Sequence, residues 1–142
     1  MQRIQSFFVI VCLFSIFLVC IPALAGEKEE KRALEASRDW LTLVDKGQYS
    51  ESWETAAHYF KNALAKEQWN QSLTAVRKPL GKVIERNLKS KQYATSLPGA
   101  PDGEYVVIQY NTSFSNKKYA IETITPMLDK DGKWRVSGYY IK

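Results

Sequence analysis

The side chains able to do chemistry are few. One histidine, His58, stands in the chain, and the two cysteines, Cys12 and Cys20, both lie in an apolar N-terminal stretch. A histidine titrates near neutrality without help and could shuttle a proton. Alone, it cannot assemble the three or four N, S or O ligands of a typical zinc site. His58 is therefore expected at a helix surface or boundary. Arg77, Arg86 and Arg135 offer more. A guanidinium binds carboxylate or phosphate through paired hydrogen bonds, so these arginines could line a pocket and hold an anion. Glu85, Glu104 and Glu122 could instead be their salt-bridge partners. Glu122 shares a strand face with Ala120, Ile124 and Leu128, which aims its carboxylate at the interior. A buried carboxylate with a raised pKa is an acid–base device. The plainer role is an ion pair tying a sheet to helices.

Trp69, Arg77, Arg86, Tyr110 and Glu122 are thus the candidates for bordering a ligand. Trp40, Trp53 and Trp69 could stack on one, but at helical spacing they read as core or pocket wall, each indole burying on the order of 200 Å². Asp129-Lys130-Asp131-Gly132 lacks the bidentate Glu of a calcium loop and reads as a hairpin turn. Asn70-Gln71-Ser72 and Asn111-Thr112-Ser113 fit the N-glycosylation pattern, which matters only in a eukaryotic source. There is no phosphate-binding glycine loop and no G-x-S-x-G. No catalytic residue, metal ligand set or cofactor is assigned.

The N-terminus has the parts of an export signal. Arg3 supplies positive charge, Ile4 to Ile21 is apolar, Pro22 breaks any helix, and Ala23-Leu24-Ala25 offers small residues for cleavage between Ala25 and Gly26. Residues 1–25 are read as a signal peptide and 26–142 as one domain, placed in a bacterial periplasm. The alternative is an N-terminal anchor facing the periplasm, since the run nearly reaches the roughly 20 residues that span a bilayer. Val19 before Cys20 and Val11 before Cys12 do not suit a lipoprotein signal. Cleavage would remove both thiols, and with them disulfides, thiol nucleophiles and Cys-ligated metals. It also removes one of 20 Lys and Arg, set against 15 Asp and Glu. The modest, scattered excess implies a solvated surface rather than a nucleic-acid or membrane patch.

The elements follow from period. Glu27 to Arg32 is a polar lead-in, expected as a frayed turn or tether. Leu34, Leu41 and Val44, with Ala33, Ser37 and Trp40, mark one helix face, and Asp45-Lys46-Gly47 stops it. A second helix is capped at Ser50 or Ser52 and carries Trp53, Ala56, Ala57, Phe60 and Leu64. A third carries Trp69, Leu73, Val76 and Leu80 and ends at Pro79 and Gly81. The period then falls to two. Strands are expected over Val83 to Leu97, Glu104 to Phe114, Tyr119 to Leu128 and Trp134 to Ile141. In the second, Val106, Ile108, Tyr110, Thr112 and Phe114 share a side. In the last, Trp134, Val136, Gly138 and Tyr140 oppose Arg135, Ser137, Tyr139 and Ile141. Helices followed by strands make an α+β fold, three N-terminal helices packed on one face of a curved four-stranded antiparallel sheet.

This order resembles the cone-shaped fold of the nuclear-transport-factor-2-like (cystatin-like) superfamily. More closely, the chain resembles the bacterial exported family catalogued as domain of unknown function 4019. The residues are Trp40-Leu41-x-x-Val44-Asp45-x-Gly47-x-Tyr49-x-x-Ser52-Trp53, then Trp69 with Arg77-x-x-Leu80-Gly81 and Arg86. Leu97-Pro98-Gly99-x-Pro101-Asp102-Gly103-Glu104-Tyr105 and Gly132-x-Trp134-Arg135-Val136-x-Gly138-Tyr139 complete the pattern. The resemblance implies fold and export and carries over no activity.

Three functional expectations result. The first is a non-enzymatic module holding a small molecule or an envelope protein in a pocket between helices and sheet. The second is a small hydrolase or isomerase using a pocket carboxylate such as Glu122. The third is a structural domain whose outer sheet face makes a homodimer.

Overall fold

The computed structural model describes residues 22–142, with side chains from residue 26. Residues 1–21, which carry Arg3, the apolar run and both cysteines, lie outside the described residues. Helix α1 runs Pro22–Asp45, α2 Tyr49–Glu54, α3 His58–Ala63 and α4 Lys66–Val76, followed by a 3-10 turn over Lys78–Leu80. Strands β1 Val83–Ala94, β2 Tyr105–Phe114, β3 Lys117–Leu128 and β4 Trp134–Ile141 form one antiparallel sheet in sequence order. The helices precede the sheet and pack on one face of it, so the fold is α+β.

Helix α1 buries Ala33, Ser37, Trp40, Leu41 and Val44, the stripe expected of a helix with one apolar side. It ends in a Schellman motif. Gly47, at φ +75°, donates to the Val44 carbonyl at 3.0 Å, and Gln48 donates to Leu43 at 2.9 Å. The polar lead-in, expected to be frayed, is instead helical from its first residue. Its anchors are polar, which is why no apolar period announced it. Glu29 accepts from Trp134 Nε1 at 2.8 Å, and Glu30 accepts from Lys91 Nζ at 2.6 Å.

The expected second helix is two helices. The chain extends at Ala57, whose N–H leaves the helical ladder and donates to the Val136 carbonyl of β4 at 2.8 Å. Ala56 and Ala57 are both buried there, so the small side chains permit a close seat on the sheet. Strand β1 ends at Ala94, short of Leu97, and β3 begins at Lys117, two residues earlier than expected. Gly81, after the 3-10 turn, has φ +78°, and a Cβ built there would lie 2.0 Å from Ser115 Oγ. No other residue fits that crossing of β1 and the β2–β3 turn.

Most of the sheet's buried side chains are on β2 and β3, with Trp134 and Val136 added from β4. Val106, Ile108, Tyr110, Thr112 and Phe114 of β2 are all buried, as are Ala120, Glu122 and Ile124 of β3. The strict alternation expected along β4 fails. Pairing slips between Thr125 and Pro126, where Thr125 faces Gly138 but Pro126 faces Val136. The bulge inserts one residue and exchanges faces. Trp134 and Val136 point to the helices, and so, beyond the bulge, does Tyr139, which meets the Trp40 ring at 5.4 Å edge-on. Tyr140 is exposed.

The space between helices and sheet is filled by aromatics. Trp40 lies 5.9 Å from Trp69, and Trp69 lies 5.0 Å from Phe60 at right angles. Each indole N–H has an acceptor. Trp40 donates to the Ser52 carbonyl at 2.7 Å, Trp69 to Ser52 Oγ at 3.0 Å and Trp53 to the Leu64 carbonyl at 2.7 Å. Ser52, buried, therefore serves two tryptophans at once.

Candidate functional site

Every strand contributes a polar side chain to the helix-facing side of the sheet. Arg86 of β1 stands opposite Thr112 of β2, and Glu122 of β3 stands opposite Tyr110 of β2. The β4 bulge adds Tyr139. Glu122 has 0% of its surface exposed, and protein groups converge on its carboxylate. Oε1 accepts from Arg86 Nε at 2.8 Å and from Thr112 Oγ1 at 2.6 Å. Oε2 accepts from Tyr139 Oη at 2.6 Å and from Arg86 Nη2 at 3.2 Å. A buried carboxylate needs such company, because desolvating it unpaired would cost several kcal/mol.

The chain of charge continues outward. Arg86 also clamps Asp45, the last residue of α1, with Nη1 at 2.7 Å and Nη2 at 2.9 Å. Asp45 in turn accepts from Arg77 Nη2 at 3.1 Å. Arg77 follows α4, donates to the Gly81 carbonyl at 2.6 Å and lies 4.6 Å above the Phe114 ring. Two carboxylates and two guanidiniums thus link β3, β1, α1 and α4. Burial would raise the Asp45 pKa, but hydrogen bonds and charge from Arg86, then Arg77, hold it below the ordinary 3.8. Burial would lower that of Arg86, yet Asp45 and Glu122 drive it above its usual value. Burial, with the Glu122 charge added, pushes the Tyr139 phenol well above its ordinary 10.0.

Beside this network a cleft opens between α1 and the β1–β2 edge. It encloses about 280 Å³ and is lined by Arg38, Leu41 and Thr42 of α1, Arg86 and Leu88 of β1, and Tyr110 of β2. Tyr110 is buried, and its hydroxyl has no hydrogen-bond partner. Burial raises its pKa, and the nearby Arg38 opposes the rise. A buried phenol without a partner is a costly arrangement that a bound acceptor would relieve. Another hollow, about 560 Å³, lies across the sheet's outer side, bordered by Asn87, Asn111, Tyr119 and Ile121. It holds none of the clustered charges.

Of the side chains singled out from sequence, Arg77, Arg86 and Glu122 belong to one network and Tyr110 lines the cleft next to it. Trp69 does not join them; it is a core residue pinned through Ser52. Arg135 lies elsewhere, holding Asp129 at 2.8 Å and Asp131 at 2.8 and 2.7 Å in the β3–β4 hairpin. Glu85 pairs with Asn87 and Glu104 with Tyr93, neither with an arginine. His58 is exposed at the start of α3, where its backbone N–H meets Asp129 Oδ2 at 3.4 Å.

Asp45, Thr112, Tyr139 and Arg38 escaped the sequence reading. Two of them carried signals. A carboxylate at the C-terminal end of a helix opposes the macrodipole, so Asp45 breaks a local rule for which Arg86 and Arg77 are the reason. Thr112 was a hydroxyl within an otherwise apolar inward row of β2. Tyr139 was hidden by the bulge, and nothing set Arg38 apart from other surface arginines.

Among the described residues no helix is long and apolar enough to cross a membrane. No curated protein matches this chain. Residues 36–139 match the family described as "Protein of unknown function (DUF4019)", a span holding the charge network and the whole cleft, and the chain belongs to that family.

Proposed function

We propose that this chain is an exported, non-enzymatic binding module whose ligand site is the cleft between α1 and the β1–β2 edge. The observation that carries the reading is Tyr110, a residue lining the cleft whose buried hydroxyl donates to no protein group. Such a group is paid for in stability unless something accepts its hydrogen bond. The wider nuclear-transport-factor-2-like likeness is compatible with a site between helices and sheet. Glu122 does not favour the hydrolase reading, because its carboxylate has no exposed surface and is occupied by Arg86, Thr112 and Tyr139. The export part rests on Arg3, the apolar run and Ala23-Leu24-Ala25.

Two measurements test this. The full-length chain, produced in a bacterial host and recovered from the periplasmic fraction, should have an intact mass lacking residues 1–25. Recovery of the uncleaved chain in the membrane fraction would favour the anchor. Native mass spectrometry of the same material should show a small molecule that denaturation releases and that Leu88→Trp, which fills the cleft, excludes. A chain carrying nothing under native conditions, with or without Leu88→Trp, would remove the binding reading.

A further inference from the structure

The charges around the cleft specify more than a vacancy. Arg77 and Arg86 are balanced by Asp45 and Glu122. Arg38 is different: among the described residues its guanidinium makes no ion pair, and it lines the cleft beside the Tyr110 hydroxyl, the polar group it acts on. Arg86 has five N–H groups, four of them directed at Asp45 and Glu122, which leaves one Nη1–H as a donor without net charge. The cleft is therefore lined by one uncompensated positive charge and further donors from Arg86 and Tyr110, with Leu41 and Leu88 as apolar walls.

Resting on the binding reading above, we infer that the ligand is a small organic monocarboxylate: its oxygens between Arg38 and Tyr110, its hydrocarbon part against Leu41 and Leu88. A carboxylate accepts the Arg38 fork and the Tyr110 O–H together. A dianionic phosphate would meet one free cation while Asp45 and Glu122 stand behind Arg86, so charge disfavours it. A neutral polar ligand would satisfy Tyr110 but leave Arg38 unused. At about 280 Å³ the space lies at or below the small end of ligand pockets, which limits the hydrocarbon to a short chain or a single ring.

The test uses the chain as its host produces it, stripped of any co-purified ligand, with tyrosine ring resonances followed by NMR. The Tyr110 signal is assigned by its loss in Tyr110→Phe. Hexanoate should shift it saturably, whereas hexanol and inorganic phosphate should bind far more weakly. Arg38→Gln should weaken hexanoate by about tenfold or more, the loss expected for one charge-assisted hydrogen bond, with a nearly unchanged urea midpoint because Arg38 is exposed and in no ion pair. Hexanol binding as well as hexanoate, insensitive to Arg38→Gln, would overturn the carboxylate assignment while leaving the cleft a binding site. Phosphate binding more tightly than hexanoate would overturn it too. If no probe moves Tyr110, the assignment fails, and the native mass measurement alone then judges the cleft.

Discussion

Two arginines in this molecule do the same thing in different surroundings. Arg86 holds Asp45 and Glu122, and Arg135 holds Asp129 and Asp131, each spreading its donors over two carboxylates. The Arg135 pairs are local, four and six residues apart within a hairpin, and the side chain of Asp131 is 47% exposed. The Arg86 pairs join residues 41 and 36 apart, and Glu122 has no exposure. The hairpin clamp fastens a turn that Gly132 already favours at φ +78°. The interior clamp fastens helices to sheet, and there each charge depends on the others for its solvation.

That contrast sets the order of expected effects. Glu122→Ala should be the most damaging, about 3–5 kcal/mol in urea unfolding, because it leaves Arg86 partly buried with one partner gone. The double variant Arg86→Met with Glu122→Leu should cost clearly less than the sum of its parts, since replacing a buried pair is cheaper than breaking one. Additive costs would mean that the two residues are not coupled. Tyr139→Phe removes one hydrogen bond to the same carboxylate and should cost about 1.5–3 kcal/mol. Asp131→Ala, at the exposed end of the hairpin clamp, should have the smallest effect of the four, and salt should shrink it further.

Acid separates the clamps in a second way. Asp45 titrates lower in the fold than its ordinary 3.8, so the unfolded chain binds the proton more readily. The stability it contributes is present above that pH and is lost as pH falls through the lower folded value. Asp131 is also held low by Arg135, but in an exposed place. Acid unfolding followed by circular dichroism should therefore lose steepness in Asp45→Asn, at low and high salt alike. Asp131→Asn should matter only at low salt. At the alkaline end the sign reverses: Tyr139 is raised above its ordinary 10.0, so stability is present below that pH and falls as the solution rises past it.

Helix and strand types, their order and the inward row of β2 were legible in the sequence, because they follow from period and punctuation that act over a few residues. The division of α2 from α3 was not, since Ala57 trades a helical hydrogen bond for one to Val136, and only the sheet supplies that acceptor. Nor was the inward turn of Tyr139, which depends on a pairing slip at Thr125 and Pro126. The site divides along the same line. That Glu122 points inward follows from alternation, whereas its partners come from the three other strands, and their meeting is a matter of topology. Asp45 shows how a local signal reads two ways. As a stop to α1 it was recognised; as an acceptor for two arginines it needed β1 and α4 in place.

The span of the interior clamp has a consequence in time. Its partners come from the end of α1, from β1 and from β3, so it cannot close until long loops have been shut and most of the sheet is paired. It is therefore expected to form after the folding barrier. Loosening it should leave the refolding arm of a chevron nearly unmoved and steepen the loss of native protein on the unfolding arm. Glu122 and Arg86 would then act as a late latch that sets how long a folded molecule lasts before it opens.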